Sequence, residues 1–322
     1  MEQQTSRLAA LCLAVACAAA TFAGLAARPA ENYRVDPLRP GLWRIQAVTG
    51  TQSTAYVIEG TKEALVIDSC SGQEGLDAVV RGLIGTKAVA VALTHGHLDH
   101  SGGVKYFPRV FVHPADGGLL PAGLSVPRSD LGEGSVFDLG GKTIGVITIP
   151  GHTPGSVAFI DRANRYIMTG DGIGSTMVWM QISSLPLTTY LLSVKKLEAI
   201  KGAIDELYVG HHEQERVKLT PQYITDMRIV TERVLEGSIE TKPYEMGNFS
   251  GRQATYGSAT LVYHPDRLRP PSSPPGAAAT TGRPFFFRPR GGAPRFDRPA
   301  STAARSASNR LCSQHAMTPF ST

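Results

Sequence analysis

Short apolar runs broken by glycine, threonine and lysine clusters set the pattern of the chain from residue 42 onward. The runs at 42–48, 54–58 and 64–67 are each too short for a helix and are bounded by turn formers, which predicts a strand meander. Between 75 and 83 the period changes, because Leu76, Val79, Val80 and Leu83 fall on one face of a helix. A continuous apolar run at 88–93 predicts a buried strand, and 110–112 another. Residues 136–139 and 143–149 predict a hairpin turning at Gly140-Gly141. Strands at 166–169 and 206–209 flank a helix over 187–200. A second helix over 221–235 has Pro221 in its first turn and Gly237 beyond its end. A weak strand at 260–263 adds an edge, and the proline-punctuated stretch 28–40 reads as a link. Strands and helices interleaved in this way predict one mixed α/β (α+β) domain over 35–264.

Composition bears mostly on the two ends. With 322 residues, 42% hydrophobic and 18% charged, a sizeable core can form. Residues 1–27 predict a secretory signal peptide: Arg7 supplies the positive end, 8–22 is an Ala/Leu-rich apolar run, and small residues at 18–27 offer cleavage sites. A secreted or periplasmic location is expected. The alternative is a membrane anchor left uncleaved, since the 20 residues of 8–27 are just enough to span a bilayer. After His264 the chain becomes rich in Arg, Pro, Ser and Gly and has few apolar residues beyond Phe285-Phe286-Phe287, so 265–322 is expected to be a disordered tail. From Tyr263 on there are nine Arg, no Lys and two Asp, a balance of +7; with +5 for the whole chain, the remainder carries −2. The basic character therefore belongs to the tail and gives no footing for nucleic-acid binding by the folded part. Cys12 and Cys17 lie in the leader and Cys312 in the tail; Cys70 alone remains in the body, which excludes a disulfide framework there.

The candidate chemistry starts directly after the run at 88–93, in Thr94-His95-Gly96-His97-Leu98-Asp99-His100. In extended backbone His95 and His97 point the same way, so one cation can be gripped by both. Asp99 and His100 follow as the chain turns towards Gly102-Gly103, where they can serve a second cation. Further along, His152 sits in Pro150-Gly151-His152-Thr153-Pro154-Gly155, a tight turn in which it cannot fill a core and in which a third place around the first cation is its natural use. Asp171, at the end of the strand at 166–169, is either an ordinary turn residue or a carboxylate that bridges two cations through its two oxygens. His211 follows Gly210 at the end of the strand at 206–209 and makes a sixth ligand besides, with His212 as a supporting or bystander residue. Asp68, at the end of another strand, is either a plain turn residue or a partner that holds a histidine or braces the metal loop. Met177, Trp179 and Met180 supply an apolar wall for substrate or fill the core. Imidazole nitrogen with carboxylate oxygen suits zinc first, then iron or manganese.

Taken in order, Asp68, the 94–100 segment, Gly151-His152-Thr153-Pro154-Gly155-Ser156, Thr169-Gly170-Asp171 and Gly210-His211 resemble the metallo-β-lactamase-fold superfamily of binuclear metallohydrolases, over residues 42–212. The resemblance implies an αββα four-layer sandwich with the metals at one edge of the two sheets. It implies two zinc ions per chain: His95, His97 and His152 on the first, Asp99, His100 and His211 on the second, Asp171 bridging, and Asp68 as a structural aspartate beside the site. The aspartate at the bridging position looks like the hydroxyacylglutathione-hydrolase and lactonase branches rather than the true β-lactamases.

The expected function is zinc-dependent hydrolysis of an ester, thioester, lactone or amide carbonyl in a small, partly hydrophobic molecule, with a metal-bridging hydroxide as nucleophile and Asp99 as the catalytic residue that orients it. The rival expectations are an iron-dependent oxygenase of the same fold and a fold member that only binds a ligand. A small-molecule substrate is the expected partner, with no nucleic acid and no stable membrane association unless the leader is retained.

Overall fold

The computed structural model describes residues 31–174, 177–181, 183–211 and 219–270. The predicted leader, His212 and all of the predicted tail beyond residue 270 lie outside them.

The first sheet has seven strands in sequence order: β1 (Tyr33–Arg39), β2 (Leu42–Ala47), β3 (Thr54–Glu59), β4 (Glu63–Ile67), β5 (Ala88–Ala92), β6 (Val110–Val112) and β7 (Arg128–Asp130). The first four strands form an antiparallel meander. The parallel pairs β4–β5, β5–β6 and β6–β7 follow it, with helix α1 (Leu76–Ile84) crossing over between β4 and β5. The second sheet runs β13-β11-β10-β9-β8, built from β8 (Val136–Asp138), β9 (Thr143–Thr148), β10 (Val157–Asp161), β11 (Tyr166–Gly170) and β13 (Glu206–Val209). Between β5 and β6 lies the one-turn helix α2 (Leu98–Ser101), between β11 and β13 the helix α3 (Leu187–Ile200), and after β13 the helix α4 (Gln222–Glu236).

Period-2 alternation places these layers. Along β3, β4 and β5, the residues Ala55, Val57, Ala64, Val66, Val89 and Val91 face α1, which buries Leu76, Val79, Val80 and Ile84 against them. Their neighbours Tyr56, Ile58, Leu65, Ile67, Ala90 and Ala92 face the second sheet and meet Val157, Phe159, Tyr166 and Met168. On that sheet's other side, Ala158, Ile160 and Ile167 pack beneath α3 and α4. The order is helix, sheet, sheet, helix, the predicted αββα sandwich. Between the sheets Phe111 of the first meets Phe137 of the second edge-on, with ring centroids 5.1 Å apart, and Phe137 leans on Phe159 at 6.3 Å.

Six strands went unseen in the sequence pattern. β1 lies in the stretch expected to be a link: Pro37 is tolerated because β1 is the outermost strand of its sheet, and its register slips between Pro37 and Arg39. β7 and β10 were also missed. The remaining three join the predicted weak strand in a third sheet, β12-β16-β15-β14, made of β12 (Val178–Met180), β14 (Lys242–Met246), β15 (Phe249–Tyr256) and β16 (Ala259–Tyr263). α4 ends as predicted: Gly237 adopts φ 69° and its N–H returns to the carbonyls of Arg233 and Val234.

Phe137→Ala should lower unfolding stability by about 3–5 kcal/mol in denaturant titration, since the buried ring bridges both sheets and its loss leaves a cavity; a change under about 1 kcal/mol would show that the sheets do not share this core.

Candidate metal centre

The predicted donors, His212 aside, come from the loops that leave β4, β5, β11 and β13 and from the turn that joins β9 to β10. They converge. Ligand atoms of His95, His97 and His152 lie within 4.8 Å of one another, as do those of His95, His100 and Asp171, and those of Asp99, His100 and His211. Asp171 lies between the clusters: its Oδ1 is 3.5 Å from His100 Nε2, and its Oδ2 is 3.3 Å from His211 Nε2 and 3.7 Å from His152 Nε2. Asp99 Oδ2 is 3.3 Å from His211 Nε2 and 3.7 Å from His100 Nε2.

Each imidazole is anchored through one ring nitrogen, and the anchors assign the tautomers. His152 Nδ1–H donates to the Trp179 carbonyl at 2.9 Å, and His211 Nδ1–H to the Thr51 carbonyl at 3.0 Å. His100 Nδ1–H donates to Asp68 Oδ2 at 3.0 Å. The Thr94 hydroxyl gives its hydrogen to Asp68 Oδ2 at 2.8 Å, so it accepts from His95 Nδ1–H at 3.0 Å. His97 is held the other way round, its Nε2 against Ser183 Oγ at 2.6 Å and its Nδ1 facing His152 Nε2 at 3.0 Å. The Nε2 atoms of His95, His100, His152 and His211 are therefore directed into the space the carboxylates share. His100 Nε2 and His211 Nε2 stand only 3.3 Å apart, and His95 Nε2 and Asp171 Oδ1 are buried without a hydrogen-bond partner. Imidazole nitrogens and carboxylates crowded together in a buried site need positive charge among them, which protons on His100 and His211 or a metal ion supply. The donor set fits divalent metal, with zinc, iron and manganese all chemically suited.

Asp68 is the brace. It is 1% exposed, and besides Thr94 Oγ1 and His100 Nδ1 its carboxylate takes the Thr94 N–H on Oδ1 at 2.7 Å. Its backbone sits at φ 62°, a left-handed conformation that aspartate tolerates better than most residues. Of the two readings open from sequence, holding a histidine is the one the geometry gives.

The electrostatics divide the site in two. Burial pushes His97 down to about 4, helped by the neighbouring His152, and burial likewise lowers His95 and His152. Burial also opposes charge on His100 and His211, but carboxylates outweigh it: Asp171 and Asp68 hold His100 well above its ordinary value, and Asp171 and Asp99 lift His211 to about 10. Burial likewise opposes charge on Asp99, yet His211 and His100 bring it down to about 2, so it stays ionised.

The predicted apolar wall splits along β12. Val178 and Met180 point into the core beneath the helices, and Met180 is 1% exposed, so it does not line the site. This corrects its assignment to substrate binding, and alternation along a strand is the reason. Trp179 faces the other way, half-buried, with its ring edge-on to Phe249 at 5.0 Å. Met177 is half-buried just before β12. Sequence reasoning missed Ser183, Thr94 and the carbonyls of Thr51 and Trp179 as anchors; a carbonyl's role leaves no mark on residue identity.

Fold and donor set define an αββα protein built to hold divalent metal. The chain belongs to the metallo-beta-lactamase superfamily, whose family model matches residues 48–212. Among its relatives, the acyl-coenzyme A thioesterase MBLAC2 of Gallus gallus is 27% identical over 226 residues, 56% of this chain and 81% of that protein. An atrochrysone carboxyl ACP thioesterase of Aspergillus fumigatus is 29% identical over 189 residues, 55% of this chain and 58% of that one. In fold the chain is similar to the metallo-beta-lactamase of Pontibacter korlensis, with a TM-score of 0.54 at 15% identity, covering 62% of this chain and 99% of that one.

Asp68→Asn keeps the shape and tolerates the left-handed backbone, but its amide must set an N–H against the N–H of Thr94 or the donors on Oδ2. Divalent-metal affinity should fall about 10–100-fold in chelator competition; an unchanged affinity would show that Asp68 does not orient His100.

Proposed function

We propose that this chain hydrolyses thioesters with a partly hydrophobic acyl group, using two zinc ions held by His95, His97 and His152 on one side and Asp99, His100 and His211 on the other, with Asp171 between. The observation that carries the reading is the pair of donor clusters facing each other across one half-buried carboxylate. The thioester is favoured over the other carbonyl compounds because the relatives named above are thioesterases of acyl-coenzyme A and of an acyl carrier protein. The acyl preference is supported by exposed apolar groups. Among the described residues five large apolar side chains are exposed; two lie on segments that carry or anchor the donors, and two more lie on the β14–β15 hairpin that packs on Trp179. Leu98 lies between His97 and Asp99; Val48 is in the loop that presents the Thr51 carbonyl to His211; Phe249, with Met246 across its hairpin, stacks on Trp179, whose carbonyl holds His152.

When bound, such a metal pair supplies a water acidic enough to be hydroxide near pH 7 and a Lewis acid for the carbonyl oxygen. The protein's share is orientation. The anchored imidazoles keep their lone pairs in place without rearrangement. Asp99, the most exposed carboxylate of the cluster and ionised, can orient an attacking water by accepting its hydrogen; a group held at about 2 is too weak a base to keep a proton. The apolar rim would take the acyl chain and leave the thiol end towards solvent.

Zinc-loaded protein should hydrolyse acyl thioesters, stop on chelation and recover with zinc. His152→Ala should lose metal and turnover together, by more than the roughly 100-fold typical of losing a supporting residue. Full activity in His152→Ala, or iron without zinc on elemental analysis, would contradict the proposal.

A pH series gives a second test. Protons compete with metal for Nε2, and a raised pKa means that competition begins at higher pH. His211, at about 10, and His100, also raised, are protonated before His97, at about 4. As pH falls, the Asp99/His100/His211 set should therefore release its metal first and the three-histidine set later, seen as two steps with a zinc-sensitive dye; release from the three-histidine set first would be contrary.

A further inference from the structure

Asp116 lies in the short turn Pro114–Leu119 that follows β6. Its side chain is fully buried and is none of the donors. Oδ2 accepts the Gly96 N–H at 2.9 Å and the Thr153 hydroxyl at 2.6 Å, and Oδ1 accepts the Gly155 N–H at 2.6 Å. Gly96 is the residue between His95 and His97, and Thr153 directly follows His152. One carboxylate thus joins the loop leaving β5 in the first sheet to the turn between β9 and β10 in the second. At their bases the same segments are tied by a backbone bond, Val157 N–H to the Thr94 carbonyl at 2.8 Å; Asp116 ties them at their tips.

The turn that carries Asp116 is itself fixed. Pro114 restricts its entry, the Asp116 N–H donates to the His113 carbonyl at 3.0 Å, and the Ala115 N–H donates to His113 Nδ1 at 3.2 Å. The approach is close enough to exclude side chains: a Cβ on Gly155 would lie 2.6 Å from the Asp116 carboxylate, and one on Gly96 2.8 Å from the Asp116 carbonyl oxygen. A buried carboxylate is costly unless every donor around it is well aimed, and charge-assisted bonds of this length are strong and directional.

We propose that Asp116 is the positioning residue of the three-histidine set: it locks the His95–His97 loop to the His152 turn so that the three imidazoles meet around one metal ion. The proposal rests on the metal reading above and not on the choice of thioester. An asparagine cannot replace the carboxylate, because its NH2 would oppose the Gly155 N–H or the two donors on Oδ2.

The test uses Asp116→Asn, Thr153→Val, which removes one donor at nearly constant shape, and Thr153→Ser, which restores it. Zinc affinity is measured by chelator competition in backgrounds that isolate each site. With His211→Ala, where the three-histidine set carries the binding, Asp116→Asn should weaken zinc about 10–100-fold and Thr153→Val by less, with Thr153→Ser like the parent. With His152→Ala, where that set is already broken, Asp116→Asn should cost nothing further. Equal losses in both backgrounds, or none in the first, would overturn the proposal. If Asp116→Asn does not fold, Thr153→Val against Thr153→Ser decides by the same criterion. Amide exchange in metal-free protein provides a readout independent of zinc: Gly96 and Gly155 should exchange slowly in the parent and in Thr153→Ser, and faster in Asp116→Asn and Thr153→Val. Exchange equal in all four would overturn the proposal even if the chain takes up no zinc, a result that would separately remove the proposed function.

Discussion

Buried imidazole nitrogens crowded against carboxylates are the constraint on which the rest of this structure turns. His95, His100, His152 and His211 each spend Nδ1–H on a fixed acceptor and present Nε2 inward, where two of those nitrogens stand 3.3 Å apart. Such an arrangement needs positive charge within it: protons on His100 and His211 supply some, and a metal cation among the nitrogens and carboxylates supplies more. The anchors matter alongside the ligands, since a ring free to rotate would turn its Nε2 away from the shared space. Asp68 shows that cost locally, because its left-handed backbone is held by side-chain bonds to Thr94 and His100 and by its own N–H on the Ala92 carbonyl.

The sandwich makes the convergence possible. Two sheets with apolar inner faces, interlocked through Phe111, Phe137 and Phe159, bring segments far apart in sequence to one place. The strands supply rigidity and their ends supply chemistry, as in other α/β proteins whose sites form from loops on a fixed scaffold. His95 and His97 come from the first sheet, His152, Asp171 and His211 from the second. A site split between two sheets needs ties across the gap, and the bond from Val157 to Thr94 and the carboxylate of Asp116 are two of them.

How much of this could be read from sequence depended on where the information lies. The metal donors were legible because imidazoles and carboxylates next to glycines at strand ends have few structural uses. The inner strands were legible because continuous apolar runs have little choice but burial. β1 and β14 escaped because edge strands carry proline and charge and show no alternation: β14 is mostly exposed along Lys242–Met246. Asp116 leaves no signal in the sequence, since Pro-Ala-Asp-Gly-Gly is turn chemistry whether or not the carboxylate points inward. Met180 was misplaced because the pattern around it showed apolar character and not which face each residue takes.

A crystal structure of zinc-loaded protein, with anomalous data collected across the zinc edge, tests the central claim most directly. The account predicts two peaks: one about 2.0–2.1 Å from nitrogens of His95, His97 and His152, the other at the same distance from His100 and His211 with Asp99 beside it, and Asp171 reaching both. A fully zinc-soaked crystal with neither peak, and His100 Nε2 and His211 Nε2 still facing each other at 3.3 Å, would contradict it.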